Sequence, residues 1–583
     1  MPPKRTLSPP PSLTKKLKLS ENFEEYYNPD PRYYPNPITW KRANVFNTGK
    51  RPKPIDLLNQ GIEKSQKLDS KTSFDTVVHW FRSDLRLSDN VGLYNAVKQL
   101  EEQRKKSKNK NARLVALYSI NEHDFRAHLD CGWKLQFALD AVNSLKEELR
   151  KLNVALVVRV FEAKDPLLSR SLQFAKWLKN ECVGLARNTN DAVFVTANAQ
   201  YETDELYRDV NILGLNDSRF HFQVYHDQCT VIPGALTSGK GTQYTVFTPW
   251  YKKWVEYLKT HQESQKDAVE TFSFDTKDSL NAELDEPESY NYKLPDEFLA
   301  YLPNLPLDVP EATEKKAHEV LKEFFNSKKA QSYNENKDIL ALNSTSRLSC
   351  YITSGVISTR AVVNYCYHDN GNSLMRRDIK QNNSVENFAK EVAWRDFYKH
   401  IMCNWPYVSM DLAFKFETMD IKWENDEEKF RKWCLGETGL PIVDAVMRKL
   451  LHTGYISNRC RMIAASFLSK NLLVDWRWGE RWFRKHLIDA DLASNSGGWG
   501  FSSSTGVDCQ PYFRIFNMKL QCEKYDPKGD FVKQWIPELK DVDNAKILRE
   551  GISNAQTANG YSQPIVDLKE SRERALEAFR EAM

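Results

Sequence analysis

WRWGERWFRKHLIDADLASNSGGWGFSSSTGVDCQPYFRIFN occupies residues 476–517. The stretch holds four tryptophans, Asp489 and Asp491 one residue apart, a Gly-Gly-Trp triplet at 497–499, a run of hydroxyls, and Arg514 between aromatic residues. An apolar core does not need that mixture. Flat rings suit stacking and electron relay, carboxylates can hold the polar edge of a heterocycle, and a guanidinium can meet a phosphate. Helical spacing is clear over 480–488, and Gly497-Gly498 reads as a turn.

Working outward, the helical period extends upstream over 311–326, 386–403, 427–435, 441–451 and 458–473, with no β-rich run between. Earlier in the chain the pattern changes. Short apolar runs at 76–80, 113–120, 154–161, 192–197 and 222–224 alternate with helical patterns that include 133–151 and 165–181. Continuous apolar strands separated by helices imply a parallel sheet covered on both faces. No G-x-G-x-x-G follows the first run, which argues against an NAD-type site there.

The fold class expected is therefore α/β plus all-α: a parallel-sheet domain at 71–232, a long linker at 233–310, an all-helical domain at 311–545 and a C-terminal tail at 546–583. Residues 1–70 hold 11 of the 25 prolines and read as a mostly disordered basic extension, with a short docked stretch near 33–46.

The net charge of +5 hides an asymmetry. Residues 1–70 carry 13 Lys and Arg against 7 Asp and Glu, while the other 513 carry 70 against 71. The folded part is not a uniformly basic nucleic-acid binder, so any such affinity needs a local patch. Lys4-Arg5 and Lys15-Lys16-Leu17-Lys18 form two basic clusters, read either as a bipartite nuclear import signal or as a solvated tail. The nucleus is the expected location, with the mitochondrion left open. No apolar run approaches the roughly 18 residues of a spanning helix, so no membrane partner is expected. The ten cysteines stand singly without C-x-x-C; no metal is expected, and they read as reduced.

Three local patterns can carry chemistry. In 386–403, Glu391, Trp394 and Arg395 fall at i, i+3 and i+4, on one helix face. They make either a polar pocket beside a ring or an exposed ion pair over a core Trp. In 458–473, Asn458, Arg461 and Met462 repeat the spacing with Arg459 alongside; Arg461 can pair with Asp489 or Asp491. At 343–349, NSTSRLS places Thr345, Ser346 and Ser349 at a helix start, where hydroxyls and free N–H groups suit a diphosphate or simply cap the helix. Nine of fifteen tryptophans lie beyond residue 390, among them Trp423, Trp476 and Trp499.

Jointly these motifs, in this order, resemble the C-terminal domain of the DNA photolyase/cryptochrome family. HWFRSDLRLSDN (79–90) and ANAQYETDELYRD (197–209) resemble that family's first strand-and-loop and last α/β elements, so the resemblance spans about 74–540. It implies an α/β antenna domain joined to a helical domain that buries a U-shaped FAD, kept as FADH⁻. Tyr333, Thr345, Ser346, Leu348 and Ser349 would hold ribose and diphosphate. Arg395, Arg461, Asp489, Asp491 and Asn495 would surround flavin and adenine, with Asn495 at N5 in the manner of repair enzymes. Glu391, Trp394, Asn458, Met462 and Phe501 would contact a lesion; Lys337, Arg459 and Arg514 would meet DNA phosphates. Trp499, Trp476 and Trp423 would relay electrons, and a buried, protonated Glu391 would steady the reduced dimer.

Glu391, Asn458 and Met462 favour a cyclobutane pyrimidine dimer enzyme, and NWPYVSM (404–410) with DIKWEN (420–425) points to the fungal class I group. The expected partner is UV-damaged DNA and the expected state a monomer. A blue-light photoreceptor of the cryptochrome type and a (6-4) enzyme are the alternatives. Phe501 and Tyr455 stand where bacterial members have Trp, and Ser409-Met410 replaces their folate-binding Cys-Lys pair. His128 and Glu202 match other antenna contacts, and 5,10-methenyltetrahydrofolate is preferred to a deazaflavin.

Overall fold

Five strands form one parallel sheet: β1 (Phe74–Phe81), β2 (Arg113–Ile120), β3 (Ala155–Val160), β4 (Ala192–Asn198) and β5 (Phe220–Tyr225), ordered β3-β2-β1-β4-β5. The structure is a computed structural model; it describes residues 38–67, 73–106, 112–164, 169–188, 191–261, 292–299, 309–375, 383–508, 514–542, 548 and 560–582. Val78 of the central strand sits between Val115 and Val195. Side chains of β1 alternate between two cores: Val77 and Phe81 pack with Leu93 and Leu100 of helix Val91–Lys106, whereas Val78 and Trp80 pack with Phe174 and Leu178 of helix Arg170–Gly184. Burial on both faces is why these strands read as unbroken apolar runs.

From residue 309 onward the described chain is helical. Helices Ser384–Asn404, Pro441–Thr453, Asn458–Ser466, Trp476–His486 and Leu492–Ser503 make its centre. The 458–466 helix continues as a π-helical turn, Phe467–Asn471, and so ends short of the residue 473 its spacing implied. Gly497-Gly498 is not a turn but lies inside Leu492–Ser503. A Cβ on Gly497 would come within 2.2 Å of the Tyr398 ring, so the glycine lets two helices close on each other.

Three segments differ from expectation. Within the supposedly disordered extension, Trp40–Asn47 and Pro54–Ser65 are helices. Ile55 and Leu58 bury on the second face of the sheet, a stripe that composition averaged over 70 residues conceals. Lys53 donates to Asn404 at 3.4 Å and Asn59 meets His226 at 3.0 Å, so this strap touches both domains. The docked part begins near 38; Tyr33 and both basic clusters lie outside the described residues.

The expected linker contains helix Phe247–Thr260, which buries Phe247, Trp250, Tyr251 and Trp254. Trp254 donates to Asp396 of the 384–404 helix at 3.2 Å. The expected tail carries helix Leu568–Ala582, whose Ala575 and Phe579 are buried and whose Arg574 donates to the Asn471 carbonyl at 2.7 Å.

The two domains are welded by charge and by close approach. Arg360 pairs with Asp89 at 3.1 Å and Asp227 at 2.7 Å across the boundary. Gly355 (φ +70°) lies so close to β1's loop that a Cβ would stand 2.0 Å from the Ser83 carbonyl oxygen. Among the described residues no helix is long and apolar enough to cross a membrane.

Candidate active site

Helices and loops of the second domain enclose a cavity of about 460 Å³. Glu391, Trp394 and Arg395 reach it from the 384–404 helix, and Asn458, Arg461 and Met462 from the 458–466 helix. Asn495, Trp499 and Phe501 enter from the 492–503 helix, and Asp489 and Asp491 from the segment before it. Tyr333, Lys337, Thr345, Ser346, Leu348 and Ser349 complete the wall. The helical spacing therefore did place each triplet on one face, and the pocket reading prevails over the exposed ion pair.

Part of the lining is polar. Helix Ser349–Thr353 begins there, and Thr345 contacts the Tyr455 hydroxyl at 3.3 Å. Arg461 donates to both carboxylate oxygens of Asp489 at 2.8 Å, which settles the choice between the two aspartates. Burial alone would raise the Asp491 carboxyl, but Lys399 at 2.8 Å and Arg395 at 3.9 Å hold it well below the usual carboxylate range. Asp491 also caps its helix, accepting from the Ser494 N–H at 2.9 Å.

Asn495 is oriented by a residue that sequence reading missed. Its Nδ2 donates to the Glu480 carbonyl at 3.0 Å and to Glu480 Oε1 at 2.9 Å, leaving the amide oxygen as its remaining acceptor. Burial pushes the Glu480 carboxyl up. An acid inside the Trp-rich WRWGERWF run was the available signal.

The lesion-facing expectations are redirected in part. Trp394 and Phe247 stack with centroids 3.7 Å apart and planes 7° apart, so one face of the indole is already covered. Phe247 was missed because it lay in the supposed linker. Glu391 is not a buried acid without a partner: its side chain is 33% exposed and its Oε1 lies 2.6 Å from Lys337 Nζ. Lys337, expected at a phosphate, is held at Glu391 because both side chains face the same hollow. Arg459 lies outside the cavity lining, paired with Asp338 at 3.0 Å and 4.3 Å over the Tyr525 ring. Arg514 is exposed and also outside the lining.

Of the three relay candidates only Trp499 lines the cavity. Its ring neighbours are Trp433 at 6.1 Å and Phe483 at 5.0 Å. Trp476 is buried in the same apolar cluster, and Trp423 packs at its edge beneath Phe579, 5.9 Å away. The three indoles share a cluster without forming a stack.

A second hollow of about 170 Å³ lies at the carboxyl ends of β1, β2 and β4. Strand order reverses here, which opens the crevice where α/β sheets receive ligands. His128 and Glu202 line it 3.9 Å apart, together with Arg82, Lys134 and Arg208. Burial and then the Glu202 charge raise Glu205, a further lining acid, to about 7. Thr353, Arg395 and Asp491 line both hollows and so form the wall between them. Ser409 of the replaced Cys-Lys pair is buried against Thr203 at 2.8 Å, away from this lining.

Comparison with known proteins agrees with this geometry. Residues 77–269 match the DNA photolyase family, and residues 388–581 match the FAD binding domain of DNA photolyase. The chain is 48% identical to the mitochondrial deoxyribodipyrimidine photo-lyase of Saccharomyces cerevisiae over 98% of both chains. It is 35% identical to the deoxyribodipyrimidine photo-lyase of Neurospora crassa over 95% of this chain and 89% of that one. A solved class III photolyase from Agrobacterium tumefaciens superposes with a TM-score of 0.68 at 30% identity, covering 88% of this chain and 99% of that one. The chain belongs to the DNA photolyase family and carries its FAD-binding domain.

Proposed function

We propose that the chain is a light-driven deoxyribodipyrimidine lyase that splits cyclobutane pyrimidine dimers in UV-damaged DNA. The observation that supports this best is the common hollow. The residues expected around FAD and the five expected at a lesion, Glu391, Trp394, Asn458, Met462 and Phe501, open on the same cavity. The fungal relatives named deoxyribodipyrimidine photo-lyase point the same way.

The lining fits FAD. The hydroxyls of Thr345, Ser346 and Ser349 and the paired acids Asp489 and Asp491 line it, and Phe388, Phe483 and Trp499 offer flat apolar walls. Bound there and held reduced, FAD would supply the light-driven electron-transfer chemistry that splits the dimer's two ring bonds. The protein's residues bind and orient. Thr345, Ser346 and Ser349 hold a diphosphate, and the Asn495 oxygen is available to accept a ring N–H. Trp394, backed by Phe247, and Phe501 offer stacking faces worth about 1–3 kcal/mol per base. That repays flipping a damaged pair, which costs a few kcal/mol.

Arg459 and Arg514 contribute salt-sensitive phosphate contacts outside the hollow. Trp499, Trp476 and Trp423 carry electrons between the surface and the cavity wall; unchanged photoreduction in Trp423→Phe would remove Trp423 from that path. The second hollow takes the antenna, read as 5,10-methenyltetrahydrofolate between His128 and Glu202. The protein acts as a monomer in the nucleus, and its likeness to a mitochondrial relative supports a mitochondrial share as well.

The test is direct. The purified protein is mixed with DNA carrying cyclobutane dimers and held in blue light or in darkness. Loss of dimers in light alone is expected. A flavin-loaded protein that removes none would be a photoreceptor, and one that removes only (6-4) products would be the other class of repair enzyme.

A further inference from the structure

Lys337 and Glu391 come from different elements and meet inside the cavity, Nζ to Oε1 at 2.6 Å. Both line the hollow, and the side chains are 29% and 33% exposed, so the pair is open to an incoming ligand. The charged groups around it are engaged elsewhere. Lys390, on the same helix as Glu391, pairs with Glu386 at 2.9 Å. Asp338, next to Lys337, pairs with Arg459 at 3.0 Å, and Arg461 pairs with Asp489 at 2.8 Å. Arg395 donates to the Gln228 carbonyl at 2.7 Å. The Tyr333 hydroxyl is pushed well up, first by burial and then by the Glu391 charge.

A pyrimidine presents an imide N–H between carbonyl oxygens. A carboxylate can accept that N–H, yet its negative charge opposes an electron added to the same ring. An adjacent ammonium cancels this opposition without removing the acceptor. We propose that Lys337 is a positioning residue: it supplies the counter-charge of Glu391 and fixes its orientation, so that the dimer meets a neutral carboxylate–ammonium couple. The proposal deepens the dimer-repair reading and rests on it.

The experiment measures repair per absorbed photon with saturating dimer-containing DNA in the parent, Lys337→Met, Lys337→Arg, Glu391→Gln and the Lys337→Met/Glu391→Gln double variant. Loss of the ammonium leaves the Glu391 carboxylate facing the dimer without its counter-charge. Lys337→Met should therefore repair several-fold less well per photon even at saturation, while Lys337→Arg stays near the parent. Adding Lys337→Met to Glu391→Gln should cost nothing further, because the charge it balances is gone. A phosphate contact would behave otherwise: parent-like repair at saturation, an equal binding loss whether or not Glu391 is replaced, and a salt slope of binding reduced by about one. That result overturns the proposal while leaving dimer repair intact. A flavin-loaded parent that splits no dimer overturns the repair reading instead.

Discussion

The two hollows are built differently. The larger draws its lining from residues 333–502, mostly on helices or their caps, and its acids are matched by cations. The smaller draws on residues 80–491, joins strand ends to the second domain, and holds Glu202, Glu205 and Asp124, each raised chiefly by burial. A site made from one helical region announces itself as spacing. A site made at a domain boundary does not, because its residues share no period.

The wall between the hollows is the place to break this contrast. Asp491→Ala should have the largest effect, since it leaves Lys399 and Arg395 buried without their carboxylate. Removing one partner of a buried pair costs about 3–5 kcal/mol. Flavin content per chain and the urea midpoint should both fall. Because the Asp491 carboxyl is depressed in the fold, its stabilisation is present above the usual carboxylate range and lost as pH falls below about 4. Parent and variant stabilities should then converge in acid. Unchanged flavin content would show that the wall does not serve the larger site.

Glu205→Gln tests the smaller hollow. The Glu205 carboxyl ionises near 4.5 when free but near 7 in the fold. The native state keeps an extra proton between those values, so the Glu205 contribution to stability is fully present below about 4.5 and is lost as pH rises through 7. The glutamine variant should flatten that decline and gain roughly 3 kcal/mol at pH 8. A parent whose unfolding midpoint does not move between pH 5 and pH 7 would contradict the burial of this acid.

The smallest effect is expected at the aromatic face of the larger site. Phe247→Leu keeps an apolar side chain but removes the ring stacked on Trp394. It should cost about 1 kcal/mol of stability, the scale of a modest large-to-small change in a core. Discrimination between dimer-containing and intact duplex should fall several-fold, and equal discrimination would mean that Trp394 needs no backing ring.

Much was legible in the chain itself. Apolar runs located all five strands, because a sheet buried on both faces has nowhere to put polar residues. Helical spacing put Glu391 beside Trp394, and Asn458 beside Arg461 and Met462, because residues three and four apart share a face on any helix. Other features needed the folded molecule. The strap at 40–65, the aromatic helix Phe247–Thr260 and the closing helix Leu568–Ala582 were hidden among polar or acidic neighbours, where averaged composition outweighs a short apolar stripe.

Sequence alone determined the alternation of strands and helices and the residue types that crowd the 476–517 segment, because both are local properties of the chain. Only the tertiary structure decided which charges meet. Lys337 beside Glu391, Arg461 on Asp489, Lys399 on Asp491 and Glu480 behind Asn495 are pairings of 2.6–2.9 Å. Except for Glu480 and Asn495, 15 residues apart, the partners stand 28 to 92 residues apart, and no local period encodes a distance across a cavity.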